Sequence, residues 1–299
     1  MSDSLATPLA RAPGSRVCFV TCRTWPDVSD SDRWVQRALE RRGVAVLAQP
    51  WNGPGLSFDG FSAVIFRSSW DYHHAPDEFL DWLARWEAAG VRFWNDPTLI
   101  RWNLSKRYLL DLERAGIAVV PTVVLEGEDP MPLTAVLRER QWFRAVVKPV
   151  LSASAHDTVL VTPESAAAVA RAIDRGELRR PVMVQPFLEE IRDRGEWSLI
   201  FIDGAFTHAV LKRPAAGDFR VQSHYGGHSS PAEAPADVIA AGARPLAALP
   251  GAPLYARVDG VETARGFLVM ELELHEPGLF FPGAPAAADA LAAAIIRRL

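Results

Sequence analysis

Cysteine is scarce in this sequence: among 299 residues there are two, Cys18 and Cys22. Both lie in the stretch RVCFVTC, which we interpret as the first strand of the fold. At about 3.3 Å per residue, a spacing of four residues along a strand separates the two sulfur atoms by roughly 13 Å, which is too far for a disulfide. We therefore expect two reduced packing residues in a cytoplasmic protein, and no cysteine nucleophile.

Long runs of one residue class are also missing. No segment is apolar enough over its length to span a bilayer, and the first residues, MSDSLATPLARAPGS, lack the apolar core of a signal peptide and predict a loosely held tail. Basic residues number 32 and acidic residues 36, a net charge of −4 without a long run of either sign. These features argue against membrane or nucleic-acid partners and favour a small-molecule ligand.

The chain divides into three predicted subdomains, because the order of strands and helices changes twice. Residues 1–95 alternate strands and helices, which is typical of an α/β unit with a largely parallel sheet. Residues 96–190 predict a smaller α+β unit. Residues 191–299 predict a second α+β unit with two hairpins, the first turning at Asp203 and Gly204, and a helical end.

The stretch LVMELELHE, residues 268–276, is the first that points to chemistry. Side chains alternate between the two faces of a strand, so Glu271 and Glu273 share one face, while Met270 and Leu272 point to the other. Two neighbouring carboxylates repel each other. The pattern therefore indicates either a bound cation or open solvent on that face.

A preceding strand, LYARVDGV, supplies a third carboxylate. Arg257 and Asp259 share one of its faces, and the turn ETARG returns the chain so that Glu271 and Glu273 can lie opposite them. Oxygen ligands of this number suit Mg²⁺ or Mn²⁺, whose coordination is usually completed by water and phosphate oxygens. A solvated hairpin face is the alternative on spacing alone.

Two lysines favour the metal interpretation. Lys148 lies in the apolar strand RAVVKPV, and Lys106 lies in the helical stretch NLSKRYLLDL. Either lysine alone is typical of a surface position. Together with an acidic metal cluster they suit a polyphosphate, because lysine and a divalent ion can neutralise its charge jointly.

These motifs resemble those of the ATP-grasp superfamily of ligases. NLSKRYLLDLERAGIAVVPT and VVKP are similar to its two lysine segments, and VQPFLEE is similar to the strand that binds adenine. GEWSLIFIDG is similar to its ribose-contacting hairpin, LKRPAAGDFRVQSHYGG to its basic phosphate loop, and ARVDG with GFLVMELEL to its metal-binding strands. The segments keep the order of the family from about Asn95 to Leu274.

The resemblance implies an ATP-grasp fold, ATP with two Mg²⁺ ions, and a homo-oligomer, dimer or tetramer. It assigns the phosphates to Lys106, Lys148 and Lys212, adenine and its hinge to Gln185, Phe187 and Leu188, and ribose to Glu196. The metal ligands it implies are Asp259, Glu271 and Glu273, and the groups that stabilise the transferred phosphoryl and the oxyanion are Arg220 and Arg257.

Two positions depart from the pattern of the family. Glu273 stands where many members have asparagine, which adds a negative charge at the metal site. The loop LSASAHD, residues 151–157, lacks the glycines of a phosphate lid. Its small residues still allow backbone N–H groups to approach phosphates, so the sequence leaves a lid function open.

The motif RSSWDY follows the strand SAVIF, at the edge of a parallel sheet where ligand crevices open. It offers a guanidinium fork, two hydroxyls, a carboxylate and aromatic surface, which together suit an amino acid. The predicted substrate residues are Arg67, Ser68, Ser69, Trp70, Asp71 and Tyr72. A structural turn anchored by Trp70 is the alternative.

RSSWDY and ELELHEP are most similar to the glutathione-synthetase-like ATP-grasp ligases, and within them to the cycloserine synthetases of antibiotic biosynthesis. The resemblance implies an ADP-forming ligase that joins a carboxylate to an amine through an acylphosphate. The specific reaction implied is the cyclisation of O-ureido-D-serine to D-cycloserine. The alternatives are a peptide or amino-acid ligase of glutathione-synthetase type and a non-catalytic, ATP-binding regulatory protein.

Overall fold

The structure of the protein is a computed structural model that describes residues 14–126, 132–153, 157–215, 217–218, 220–221 and 225–299. The tail predicted at the amino terminus lies outside these residues, apart from its last two positions. Within them the chain forms three β-sheets with helices packed against them.

The first sheet is parallel, as predicted, with the strand order β2-β1-β3-β4. Its strands are β1 (Arg16–Thr21), β2 (Ala45–Pro50), β3 (Ala63–Phe66) and β4 (Phe93–Trp94), and its helices are α1 (Arg33–Glu40) and α2 (Pro76–Ala88). Cys18 and Cys22 are buried free thiols in its core, which confirms their predicted packing role.

The second sheet is antiparallel, with the strand order β5-β8-β6-β7. Its strands are β5 (Val123–Leu125), β6 (Ala145–Pro149), β7 (Val159–Val161) and β8 (Val182–Pro186). Helices α3 (Pro97–Leu104) and α4 (Tyr108–Arg114) precede this sheet in the chain, and α5 (Leu133–Arg140) and α6 (Ala166–Asp174) share its core. The carboxylate of Asp96 caps α3 by accepting from the Thr98 N–H at 2.8 Å.

The third sheet is also antiparallel, with the strand order β11-β10-β9-β12-β13. Its strands are β9 (Glu196–Ile202), β10 (Ala205–Arg213), β11 (His228–Ala232), β12 (Tyr255–Thr263) and β13 (Gly266–Glu273), and its helices are α7 (Glu190–Asp193), α8 (Ala236–Ala247) and α9 (Pro285–Arg298). Asp203 and Gly204 both have positive φ, 53° and 78°, as a tight hairpin turn requires.

Sequence patterning misses β11, which directly follows the predicted phosphate loop LKRPAAGDFRVQSHYGG. The strand reads HSSPA, without apolar alternation, and it pairs with β10. An edge strand tolerates Pro231 because the missing N–H is not needed by a neighbour on the outer side.

A β-bulge corrects the predicted alternation of β13. Asp259 pairs with Glu271, but the next residue of β12, Gly260, pairs with Val269, so Met270 is an extra residue on β13. Strict alternation of side chains between the two faces of β13 is therefore interrupted at Met270. Val269 and Leu272 both lie in the core, whereas Met270 and Glu271 both face a cavity.

The last helix joins the first and third sheets. α9 packs against α1 and β9, and its apolar residues share one core with both sheets. Among the described residues, no helix is both long and apolar enough to cross a membrane.

Gly260 is required at the bulge, and Gly260→Ala should destabilise the protein. A Cβ there would lie 2.5 Å from the Leu268 backbone oxygen and 2.3 Å from Phe267 Cζ. We expect the free energy of unfolding, measured by urea denaturation, to fall by about 1–3 kcal/mol. The control is Gly251→Ala, whose Cβ would lie 3.9 Å from Leu99. Equal stability of the two variants would contradict the bulge packing.

Candidate active site

A cavity of about 370 Å³ lies between the three sheets. Among the residues that the structure describes, it is lined by equal numbers of basic and acidic side chains, five of each. The basic side chains are Lys106, Lys148, Lys212, Arg220 and Arg257, and the acidic ones are Glu196, Asp259, Glu271, Glu273 and Glu276. The three sheets therefore bring together residues that are far apart in the sequence, including all twelve of the predicted nucleotide, metal and catalytic positions.

Three carboxylates converge on one wall of the cavity. Oxygen atoms of Asp259, Glu271 and Glu273 all lie within 4.8 Å of one another. The pairing of β12 with β13 causes this arrangement, since it sets Asp259 opposite Glu271 and Arg257 opposite Glu273. The predicted convergence of these side chains is therefore present in the structure.

Arg257 and Lys212 stabilise the most deeply buried member of this cluster. Arg257 donates to the Asp259 carboxylate at 2.8 Å and also contacts Glu273, and Lys212 Nζ lies 3.2 Å from Asp259. Burial opposes ionisation of Asp259, but these two cations outweigh burial and hold its pKa well below the usual range.

Glu271 and Glu273 differ in electrostatic environment. Burial acts against ionisation of Glu271, but Lys106 and Lys148 overcome it and lower its pKa. For Glu273, burial and the charges of Glu271 and Asp259 outweigh the attraction of Arg257 and raise the pKa to about 8. A further cation beside Glu273 would therefore be favourable.

The donor set fits a divalent metal ion. Three carboxylates supply only oxygen ligands, which Mg²⁺ and Mn²⁺ prefer. The cavity lining is also close to neutral, with five basic and five acidic side chains, so a bound triphosphate would leave an excess of negative charge. Additional cations beside the phosphates would remove that excess.

The two predicted phosphate lysines lie on different elements of the second unit. Lys106 lies in the break between α3 and α4, which corrects its expected position on a helix, and its backbone N–H donates to Val150 at 2.9 Å. Its ammonium lies 2.8 Å from Glu271 and donates to the Ser152 carbonyl at 2.6 Å. Burial opposes its charge, but the attraction of Glu271 raises its pKa.

Lys148 extends from β6 into the same cavity. Burial lowers its pKa, and the attraction of Glu271 offsets this only in part. Within the described ranges, it has no carboxylate partner within 4.0 Å, unlike Lys106 and Lys212. An enclosed cation without a close counter-ion is suited to an anionic ligand.

Glu196 and Lys212, predicted to contact ribose and phosphate, pair with each other at 3.0 Å across β9 and β10. Burial raises the pKa of Glu196, and it opposes the charge of Lys212, whose pKa is nevertheless raised by Asp259 and Glu196. The two side chains lie beside the carboxylate cluster and line the cavity.

The predicted adenine segment borders another part of the cavity. Gln185, Phe187 and Leu188 all line it, together with apolar side chains that include Met270 and Val221. A hydrogen bond fixes the side chain of Gln185, because its Nε2 donates to Thr122 Oγ1 at 3.0 Å. The strand end and apolar surface are suited to a flat, hydrogen-bonding ring.

Arg220, the other predicted catalytic residue, also lines the cavity, and it contacts Asp218 at 2.8 Å. The predicted phosphate loop around it includes residues 216, 219 and 222–224, which lie outside the described part of the chain. Residues 154–156 of the predicted lid segment also lie outside it.

The structure corrects the expectation that Arg67 binds a substrate carboxylate. Its side chain is 2% exposed and forms an ion pair with Asp32 at 2.8 Å, with a further hydrogen bond to the Pro277 carbonyl at 3.0 Å. Arg67 does not line the cavity. The ion pair and this hydrogen bond hold the guanidinium inside the protein, although its Nη1 has no hydrogen-bond partner among the described residues.

The other residues of RSSWDY either make contacts inside the protein or line the cavity. Ser68 and Ser69 are fully buried, and Ser69 contacts a ring nitrogen of His275. The Asp71 carboxylate accepts from the side chains of Trp51 and Asn52. These three residues were predicted to bind substrate but do not line the cavity. Trp70 and Tyr72 do line it.

Sequence reasoning missed two cavity residues, His275 and Glu276. They follow directly after the strand pattern LVMELEL, in the segment HEP. A histidine next to a carboxylate, directly after a strand, was the available signal. Side-chain alternation predicts nothing about residues beyond the end of a strand.

Fold and site together define an ATP-grasp enzyme, and comparison with known proteins identifies its group. Residues 17–95 match the family model of the D-cycloserine synthetase DcsG amino-terminal domain, and residues 118–240 match that of the prokaryotic glutathione synthetase ATP-grasp domain. The chain is 33% identical over 258 residues to the cycloserine biosynthesis protein DcsG of Streptomyces lavendulae, covering 79% of this chain and 83% of that protein. The chain belongs to the glutathione-synthetase-like family of ATP-grasp ligases.

Solved structures agree with this assignment, which confirms the predicted family and fold. The crystal structure of D-cycloserine synthetase DcsG has a TM-score of 0.84 and 27% identity, covering 95% of this chain and 99% of that one. D-alanine–D-alanine ligase from Bacillus anthracis shares the fold, with a TM-score of 0.69, 17% identity and coverage of 95% and 97%.

Arg67→Lys should lower stability, because lysine cannot hold Asp32 and the Pro277 carbonyl at once with the same planar fork. We expect the free energy of unfolding to fall by about 1–3 kcal/mol. The KM for ATP should stay at the wild-type value, since Arg67 lies outside the cavity. The matched control is Arg41→Lys, which alters a pair with Asp289 whose side chains are 61% and 46% exposed. A wild-type melting curve for Arg67→Lys would contradict the structural assignment.

Proposed function

We propose that this ligase joins a carboxylate to an amine at the expense of ATP, with an amino-acid-like molecule as the carboxylate substrate. The observation that carries the proposal is the single cavity in which Lys148, without a close counter-ion, faces the three-carboxylate cluster and Lys106. Such an arrangement binds a polyphosphate and concentrates charge stabilisation at its transferred end.

In the first step, a carboxylate oxygen of the substrate attacks the γ-phosphorus of ATP, and the bond from that phosphorus to the ADP oxygen breaks. The products are an acylphosphate and ADP. Lys106 and Lys148 stabilise the charge on the transferred group, and Gln185, Phe187 and Leu188 hold the adenine end. Two Mg²⁺ ions held by Asp259, Glu271 and Glu273 would neutralise the phosphate oxygens.

In the second step, a nitrogen of the amine attacks the acyl carbon, the bond to phosphate breaks, and the nitrogen loses a proton. Arg257 and Arg220 are our candidates for stabilising the oxyanion that forms in between. Arg257 is well oriented for this, because Asp259, Glu273 and the Gly278 carbonyl all fix its guanidinium.

Similarity to the cycloserine biosynthesis protein supports a narrower reaction in antibiotic biosynthesis, the closure of O-ureido-D-serine to D-cycloserine. Attack by the oxygen-bound nitrogen on the acyl carbon displaces phosphate and closes the ring, and water then removes the carbamoyl group from that nitrogen as carbon dioxide and ammonia. The attacking nitrogen would then belong to the molecule that carries the acylphosphate. An intermolecular ligation of glutathione-synthetase type is the second candidate, supported by the match of residues 118–240.

A non-catalytic, ATP-binding regulatory protein would not require this full set of charges. Simple nucleotide binding needs neither three converging carboxylates nor the fixed Arg257. Both features support catalysis.

The decisive experiment measures magnesium-dependent phosphate release from ATP with free amino acids, dipeptides and O-ureido-D-serine, each offered alone and in pairs. Release with O-ureido-D-serine alone, accompanied by D-cycloserine in the mass spectrum, is the expected result. Release only with a pair of amino acids or peptides would favour intermolecular ligation. Absence of release across the panel would favour the regulatory protein.

Lys148→Met should weaken nucleotide binding as well as turnover. The side-chain length is similar, but a cation that faces the ligand in both the ground state and the transition state is lost. We expect the dissociation constant of a non-hydrolysable ATP analogue, measured by calorimetry, to rise about 10-fold or more. Arg33→Met, which removes an exposed basic residue outside the cavity lining, serves as the control. An unchanged dissociation constant for Lys148→Met would remove it from the phosphate site.

Glu271→Gln should abolish turnover and leave the protein folded, since it removes one charge of the metal cluster at nearly constant volume. We expect phosphate release to fall by at least about 100-fold. Glu126→Gln, which alters an exposed ion pair with Arg107, should behave like wild type. Near-normal release by Glu271→Gln, with an unchanged circular dichroism spectrum in both variants, would place the metal elsewhere.

A further inference from the structure

Glu276 differs from the other carboxylates of the cavity in its partners. Each of the other four has a lysine or arginine within 4.0 Å: Glu196, Asp259, Glu271 and Glu273. In the part of the chain that the structure describes, Glu276 has no such basic partner. Its close polar neighbour is the His275 ring, whose Nδ1 lies 2.7 Å from Glu276 Oε2. Glu276 also does not belong to the three-carboxylate cluster.

The motif RSSWDY fixes the backbone at Glu276 and the neighbouring ring of His275. Trp70 Nε1 donates to the Glu276 carbonyl at 3.0 Å, and Arg67 donates to the next carbonyl, that of Pro277, at 3.0 Å. Ser69 Oγ lies 3.1 Å from His275 Nε2. The motif therefore contributes to the cavity by fixing the segment that carries Glu276.

His275 is itself packed in an aromatic cage. Its ring centroid lies 4.9 Å from that of Phe66, 4.7 Å from Tyr72 and 4.8 Å from Phe79, and the residue is 2% exposed. Nδ1 lies beside the Glu276 carboxylate without an aligned hydrogen bond to any described residue, so polar capacity stays unused on the ring. A polar group arriving from the cavity would complete this pair.

The positions of the charged residues in the cavity indicate which charged groups a substrate carries and how it is oriented. The lysines and arginines of the lining come from the second and third units, whereas Glu276 is tied to Trp70 of the first unit. An α-amino acid carries a carboxylate and an ammonium group a few bonds apart. The carboxylate is attracted to the lysines and arginines, where phosphoryl transfer takes place, and the ammonium is stabilised best by a carboxylate that no lysine or arginine already neutralises, which among the described lining residues is Glu276.

We propose that Glu276 binds the α-ammonium group of the substrate and that His275 is a positioning residue, which fixes the Glu276 carboxylate through the contact at Nδ1. The inference rests on the proposed function, because it names how the ligase recognises its carboxylate substrate. It replaces the amino-acid contacts that the sequence assigned to Arg67 and Asp71. Trp70 and Tyr72 supply the wall beside the carboxylate.

The test compares two substrates that differ only in the amino group: O-ureido-D-serine and its desamino analogue, 3-(ureidooxy)propanoic acid. Phosphate release is measured for wild type and for Glu276→Gln. We expect the KM for O-ureido-D-serine to rise about 10- to 100-fold in the variant, the loss expected for a charge-assisted contact. The KM for the desamino analogue, already high in wild type, and the KM for ATP should not change.

His275→Phe keeps the aromatic packing but removes both ring nitrogens. It should raise the KM for O-ureido-D-serine by about 3- to 10-fold with little change in kcat or in the KM for ATP. Glu233→Gln, an exposed carboxylate outside this cavity, is the control and should match wild type.

The outcomes separate the two proposals. Release by wild type with an unchanged KM in Glu276→Gln would overturn the role of Glu276 and leave the ligase function intact. A KM that rises equally for both substrates would show a structural effect and would also overturn it. If wild type releases phosphate with neither substrate nor any amino acid or dipeptide, the proposed function fails, and the ammonium site fails with it.

Discussion

Mutual repulsion of three carboxylates on one hairpin is the constraint around which this protein is arranged. Asp259, Glu271 and Glu273 lie within 4.8 Å of one another, so each needs a nearby cation to stay ionised. Those cations come from separate elements: Lys106 from the break between α3 and α4, Lys212 from β10, and Arg257 from β12 itself. Electrostatic attraction at the hairpin therefore helps to hold the second sheet against the third.

The first sheet is joined to this centre by a different kind of contact. Its motif RSSWDY reaches the chain just after β13 with a buried guanidinium, an indole N–H and a hydroxyl, and the carbonyl groups of residues 276 and 277 accept two of these bonds. Burial of polar groups is costly where a partner is missing, as for Arg67 Nη1 and Ser68 Oγ among the described residues. The contacts that do form fix the orientation of the first sheet relative to the cavity.

Much of the site could be predicted because its residues carry strong local signals. Three carboxylates and an arginine on two neighbouring strands have few explanations, and the lysine segments keep a recognisable order.

Arg67 was misassigned because a charged residue after a parallel strand looks the same in sequence whether it binds a ligand or, as here, pairs with a buried residue that is distant in sequence, Asp32. Alternation alone could not reveal the bulge at Met270, since an extra residue leaves no compositional mark. The polar edge strand β11 was hidden for a similar reason, because its pairing with β10, not its composition, makes it a strand.

The bulge at Met270 also determines which change in length this hairpin can tolerate. Val269 on one side of it and Leu272 on the other both belong to the core, while Met270 and Glu271 line the cavity. Removing Met270 itself would leave a regular ladder in which Val269 and Leu272 stay in the core and Glu271 and Glu273 stay on the cavity face. Removing Leu268 would instead move Phe267 or Val269 off the core face, because a strand that is one residue shorter exchanges its two faces. The hairpin can therefore lose a residue at the bulge without moving its carboxylates, but not from the regular part of the strand.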